Sequence, residues 1–107
     1  CEFRLAIRTD AFRDFGQSLI QALFAYADTQ PSFQPAPENH EGIRVQFSPE
    51  NGDGWFLLRL SLHEPLIAIN IESERAGGVR TVAQQLMKFL SAYQGELDLS
   101  PLASYLS

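Results

Sequence analysis

Residues 42–73 read GIRVQFSPENGDGWFLLRLSLHEPLIAINIES and contain three apolar segments separated by two short polar ones. In the first segment, 42–47, apolar side chains alternate with polar ones, which is the period of a half-buried strand. The other two segments, 55–60 and 66–73, are rich in aromatic and β-branched residues, as strands are. Because strands with short connections usually pair with their sequence neighbours, we predict an antiparallel three-stranded meander.

The chain before the meander predicts one more strand and a helix. Residues 2–8 alternate between apolar and charged side chains, which again indicates a strand. A helix is predicted over about 11–27, with Thr9 or Asp10 as its N-cap. Gly16 lies inside this helix, where it costs about 1 kcal/mol relative to alanine, and close packing at that position would explain it. The apolar stripe of the helix consists of Phe12, Phe15, Leu19, Ile20, Leu23 and Phe24.

The remaining segments predict a loop, a second helix and a tail. Residues 29–42 contain three prolines and are predicted to form a loop. A second amphipathic helix is predicted over about 79–93. Its apolar stripe consists of Val79, Val82, Ala83, Leu86, Leu90 and Tyr93. Residues 95–107 form a tail with no clear period.

The predicted order of elements is β-α-β-β-β-α in a single domain, residues 1–107. Two amphipathic helices then cover one face of a four-stranded, largely antiparallel sheet, which is an α+β two-layer fold. The chain begins at Cys1 without an initiator methionine and enters a strand at once. We therefore expect it to be a domain excised from a longer protein.

The composition argues against several classes of function. The formal charge is −5, from 8 Lys and Arg against 13 Asp and Glu, whereas nucleic acids and acidic membranes bind cationic surfaces. The single cysteine, Cys1, cannot form an internal disulfide, and no apolar run approaches the roughly 20 residues that span a membrane. We therefore expect a cytoplasmic protein whose partners include neither nucleic acid nor membrane. A small anion remains compatible with this charge, because local donors decide its binding.

The connection RLSLHEP, between the last two strands of the meander, is a candidate anion site. If the alternation of the strand continues into it, Arg59, Ser61 and His63 face one side, while Leu60 and Leu62 face the other and anchor the loop. The guanidinium matches two phosphate oxygens at once, and the hydroxyl and the ring N–H are further donors. Backbone N–H groups of a tight turn can add an anion nest. The alternative is an ordinary solvated turn.

Motifs of other active sites are absent from the sequence. It contains no metal-ligand spacing such as H-x-x-H or C-x-x-C, no P-loop and no G-x-G-x-x-G. His40 lies in the proline-rich loop, and Glu72 and Glu74 end a strand, so solvated side chains are expected at all three positions. The residues alone therefore indicate no catalytic residue, no metal site and no cofactor in this chain.

The segments GIRVQF and GWFLLRLSLHEPLIAINIESE, followed by a helix, resemble the C-terminal domain of the α-D-phosphohexomutases. This family includes phosphomannomutase/phosphoglucomutase and phosphoglucosamine mutase. Its members carry a D-G-[VI]-[KR]-[VL] strand, an aromatic-rich strand and the loop R-x-S-[GN]-T-[ET]-P before an apolar strand and a final helix. The match covers about residues 42–93, and the preceding strand and helix agree in order. The resemblance implies a fold like that of the TATA-binding protein.

The resemblance also implies a function and a set of binding residues. Such enzymes move a phosphate between the 1-position and the 6-position of a hexose, with a phosphoserine and Mg²⁺ held in other domains. Their C-terminal domain grips the substrate phosphate that is not transferred. In this chain Leu62 stands where Gly or Asn is usual, and His63 stands where Thr is usual. The binding residues implied by position are Arg59, Ser61, Leu62, His63 and Glu64.

Two hypotheses follow for the function. The first is the substrate-phosphate domain of a cytoplasmic phosphohexomutase, with hexose phosphate and the other domains of the parent enzyme as its partners. The parent would be an isomerase that acts by intramolecular phosphotransfer with Mg²⁺, while the chain alone would be inactive. The alternative is a non-catalytic protein-interaction module that docks a partner on the open sheet face and has lost phosphate binding. The two departures at Leu62 and His63 motivate this alternative.

Overall fold

The computed structural model describes residues 1–36, 42–61 and 63–107, and it confirms the α+β two-layer fold. The described residues form five strands and three α-helices, one more of each than the sequence predicts. The strands are β1 (Glu2–Ala6), β2 (Gln34–Pro35), β3 (Gly42–Gln46), β4 (Gly54–Leu60) and β5 (Leu66–Ser73). The helices are α1 (Phe12–Thr29), α2 (Gly78–Leu90) and α3 (Ser100–Leu106), with 3₁₀ turns at Pro49–Asn51 and Ser91–Tyr93.

The five strands form one antiparallel sheet with the order β1-β5-β4-β3-β2. The predicted meander is confirmed, because β4 pairs with β3 on one side and with β5 on the other; Phe56, for example, lies between Val45 and Ile71. β1 pairs with β5, so that Leu5 lies opposite Ile67. The first strand of the chain therefore lies beside the strand that follows the RLSLHEP connection.

Alternate residues of each strand face the helices and form the core. In β1, Phe3 and Leu5 are buried while Glu2 and Arg4 are exposed. The strand residues that are fully buried are Leu5, Ile43, Val45, Phe56, Leu58, Ile67, Ile69 and Ile71. They belong to the same cluster as Leu19 and Leu23 of α1 and Val82 and Leu86 of α2. The charged side chains of the strands are left on the opposite face of the sheet.

The helix boundaries differ from the prediction at two places. α1 begins after an N-cap at Ala11 that makes no side-chain hydrogen bond, so the predicted cap at Thr9 or Asp10 is wrong. α2 ends at Leu90, and the three residues that follow form a 3₁₀ turn rather than further α-helix. None of the described helices has the length and apolar character needed to cross a membrane.

The segments predicted as a loop and a tail each contain regular structure. β2 lies within the proline-rich segment and pairs with β3, and the adjacent Phe33 is buried in the core. His40, with the rest of 37–41, lies outside the described residues. In the C-terminal segment, α3 buries Leu102 completely. Both segments therefore cover parts of the core.

The close packing that would explain Gly16 is confirmed. A Cβ atom built at Gly16 would lie 2.5 Å from Cδ1 of Leu60, the last residue of β4. The absence of a side chain lets Leu60 approach α1, and this contact holds the start of the RLSLHEP connection against the helix layer.

Replacing Gly16 with alanine is expected to have different effects on stability with and without Leu60. In the wild-type chain the added methyl forces the end of the Leu60 side chain to shift, and overpacking of about 1 kcal/mol or more cancels the helix-propensity gain of about 1 kcal/mol. In a Leu60→Ala background the collision is gone, so the substitution should raise the free energy of unfolding by about 1 kcal/mol. Urea denaturation of wild type, Gly16→Ala, Leu60→Ala and the double variant measures this difference. If Gly16→Ala changes the free energy of unfolding equally in both backgrounds, the contact with Leu60 is contradicted.

Candidate functional site

The open face of the sheet carries two arginines that flank one small residue. Arg59 on β4 and Arg4 on β1 both lie directly opposite Ala68 of β5, the strand between them. Residues that are opposite each other in an antiparallel sheet project to the same face. Neighbouring strands lie about 4.8 Å apart, so the two arginine backbones are about 10 Å apart. Only the methyl group of Ala68 stands between their side chains.

These residues open onto a cavity of about 350 Å³ beside the β4–β5 connection. The cavity brings together Arg59, Ser61, His63 and Glu64, which are four of the five binding residues that the resemblance implies. The fifth, Leu62, lies outside the described residues. The rest of the lining consists of Arg4, Leu60, Leu66 and Ala68. The predicted side chains therefore share one concave site.

Hydrogen bonds within the connection fix its shape. The N–H of Ser61 donates to the carbonyl of Leu66 at 3.1 Å, and the N–H of Leu66 donates to the carbonyl of Glu64 at 2.7 Å. The N–H of Glu64 donates to Oγ of Ser61 at 3.3 Å. These three backbone donors are engaged inside the turn, so they do not contribute to an anion nest. The Ser61 hydroxyl accepts one of these bonds, which leaves its own proton to donate into the cavity.

Arg59 supplies a cation that is available to a ligand. Its side chain is exposed, and it makes no hydrogen bond or ion pair with any residue that the structure describes. Arg44, further along the same face, lies over the ring of Trp55 at 4.2 Å from the centroid and is already engaged. A planar guanidinium with five donors and no internal partner is suited to two oxygens of one anion.

Arg4, in contrast, already has a partner on its own strand. Its Nε donates to Oε2 of Glu2 at 2.9 Å, and both side chains are largely exposed. This hydrogen bond and then the charge of Glu2 raise the pKa of Arg4 above its ordinary value, with a smaller contribution from Glu64 across the cavity. The walls of the cavity therefore carry two guanidinium groups and the carboxylate of Glu64, and the carboxylate of Glu2 is bonded to one of these guanidinium groups.

The sequence analysis missed Arg4 as a member of this site. The alternation of residues 2–8 already placed Arg4 on the polar face of its strand. What the sequence pattern did not indicate was the neighbour of β1 in the sheet. Only the pairing of β1 with β5 brings Arg4 beside Ala68 and Arg59.

No metal centre is found in the part of the chain that the structure describes. There, no three His, Cys, Asp or Glu side chains lie close enough together to hold an ion. The acidic side chains at the other end of the open face, Asp53, Glu72 and Glu74, line a separate hollow beside Trp55. The cavity beside the β4–β5 connection thus presents nitrogen and hydroxyl donors, which are groups that can contact an anion.

A scan of the chain against models of known protein families finds no match, and a search of curated proteins finds none either. The residues and geometry of the cavity are therefore the basis on which a function is proposed.

Proposed function

We propose that this chain is the C-terminal domain of an α-D-phosphohexomutase and that its β4–β5 connection binds a phosphate group of the hexose phosphate. The observation that carries the proposal is the exposed guanidinium of Arg59, which has no partner among the described residues and lines one cavity with Ser61 and His63. Arg59 would hold two phosphate oxygens, while the Ser61 hydroxyl and the His63 ring donate to the remaining ones. A cytoplasmic location belongs to this proposal and is supported by the single cysteine.

We expect binding at this site to be weak, because its contacts contribute little free energy. A hydrogen bond to a charged group contributes about 1.5–3 kcal/mol, whereas a millimolar complex already requires about 4 kcal/mol. Glu64, on the wall of the same cavity, opposes an anion. We therefore expect the isolated domain to bind hexose phosphate with a dissociation constant that is millimolar or weaker, and the other domains of the parent enzyme to supply the rest of the affinity.

The proposal assigns no chemical step to this chain. Phosphohexomutases use Mg²⁺ and a phosphoserine, and the described residues include no group of carboxylates that fits the ion. Both are expected in other domains of the parent enzyme. The contribution of this domain is to hold the phosphate that is not transferred, which fixes the position of the sugar relative to the reacting groups.

Titration of the ¹⁵N-labelled domain with glucose 1-phosphate and mannose 6-phosphate tests this proposal, with glucose as the uncharged control. We expect saturable, phosphate-dependent shifts of the amides of Arg59, Ser61, His63 and Glu64 and no shifts with glucose. An absence of shifts at tens of millimolar ligand, or equal shifts with glucose, would contradict phosphate binding at this site. Such a result would favour the alternative of a protein-interaction module.

A further inference from the structure

We propose that Arg4 is a second ligand of the bound phosphate, so that the cavity is a two-arginine site selective for phosphate dianions. This inference rests on the proposed function, and it adds a residue that lies outside the RLSLHEP connection. Its geometric basis is the register of the sheet, since Arg4 and Arg59 both lie opposite Ala68 and both line the cavity. Ala68 is only 8% exposed, and its single methyl group lies between the two long cationic side chains.

The charge of the ligand decides whether a second guanidinium is useful. A phosphate monoester carries a second negative charge above a pKa of about 6, and its three terminal oxygens exceed what one bidentate arginine satisfies. A sulfate monoester has the same shape but a single negative charge. Two arginines on opposite walls should therefore distinguish these two ligands, while Arg59 alone would distinguish them only weakly.

Glu2 modulates this binding. In the free domain its carboxylate accepts the hydrogen bond of Arg4 Nε at 2.9 Å, so it holds the arginine on the open face and competes with the phosphate for it. The pair is exposed, and exposed pairs are weak, so a dianion can displace the carboxylate. Substitutions at Arg4 and Glu2 should then change the affinity in opposite directions, which a purely structural role of the ion pair would not produce.

The test compares glucose 6-phosphate and glucose 6-sulfate at pH 7.5, by ¹⁵N shifts of wild type, Arg4→Gln and Glu2→Gln. We expect wild type to bind the phosphate at least about fivefold more tightly than the sulfate. Arg4→Gln should weaken phosphate binding by about tenfold and make the affinities for the phosphate and the sulfate nearly equal. Glu2→Gln should strengthen phosphate binding by about twofold. Arg13→Gln, which removes the same charge from α1, serves as the control and should leave the preference unchanged.

The outcomes separate this inference from the proposed function. If Arg4→Gln binds the phosphate as tightly as wild type, or if Arg13→Gln weakens binding as much as Arg4→Gln does, the role of Arg4 is overturned. Arg59 then remains the ligand. Equal affinities of wild type for phosphate and sulfate would also overturn it. If wild type binds neither ligand, both the inference and the proposed function fail.

Discussion

Replacing Arg59 with alanine is expected to weaken the binding of hexose phosphate by about 10- to 100-fold, because the variant loses a charge-assisted bidentate contact. Arg59 is the only lysine or arginine in the connection. It also has no partner among the described residues, so its removal leaves no buried group unsatisfied. The free energy of unfolding should therefore change by less than about 0.5 kcal/mol.

The ¹⁵N titration with glucose 1-phosphate measures the loss of affinity in Arg59→Ala. Two further variants serve as comparisons. Arg59→Lys keeps the charge but loses the planar fork, so an intermediate affinity is expected. Arg13→Ala removes the same charge from the surface of α1 and should leave binding unchanged. Wild-type affinity in Arg59→Ala, or an equal loss in Arg13→Ala, would show that the connection is a solvated turn without a role in binding.

The strands of the meander were predictable because their signal is local. Apolar and polar residues alternate within β3, and short polar segments separate β3, β4 and β5, so that both the elements and their pairing follow from neighbouring residues. In the connection, Arg59, Ser61 and His63 line one cavity, as their alternation indicated. Leu60, which was predicted to face the other side, lines the same cavity.

Elements that depend on tertiary packing could not be predicted in this way. α3 has seven residues, fewer than two full turns, so its buried Leu102 cannot form part of a recognisable stripe. β2 has two residues, one of them Pro35, and it exists because it pairs with the edge of β3. The N-cap of α1 differs from the prediction because the backbone reaches helical geometry only after Ala11, beyond Thr9 and Asp10.

The residues of the candidate site differ in the same way. Those of the connection are contiguous, so the sequence alone places them together. Arg4 comes from the far end of the chain, and only the position of β1 at the edge of the sheet places it there. The RLSLHEP connection contains a single arginine, whereas the cavity of the folded domain is lined by two.

Replacing Phe56 with alanine is expected to lower the free energy of unfolding by about 3–5 kcal/mol, which is a large part of the 5–15 kcal/mol typical of a domain. Phe56 is fully buried at the centre of β4, between Val45 and Ile71. Its ring centroid lies 5.9 Å from that of Phe47 and 6.3 Å from that of Phe33. The substitution removes these contacts and leaves a cavity that backbone pairing on both sides prevents from closing.

Leu57→Ala is the matched control, because Leu57 is the next residue of β4 and lies half-buried on the open face. It should cost about 1 kcal/mol. Urea denaturation with and without glucose 6-phosphate then tests both the assignment of the two faces of β4 and the binding of the ligand. Ligand at ten times its dissociation constant adds about 1.4 kcal/mol of stability, so it cannot compensate for the loss of Phe56 but should offset that of Leu57. Equal losses in the two variants would contradict the assignment of the two faces of β4.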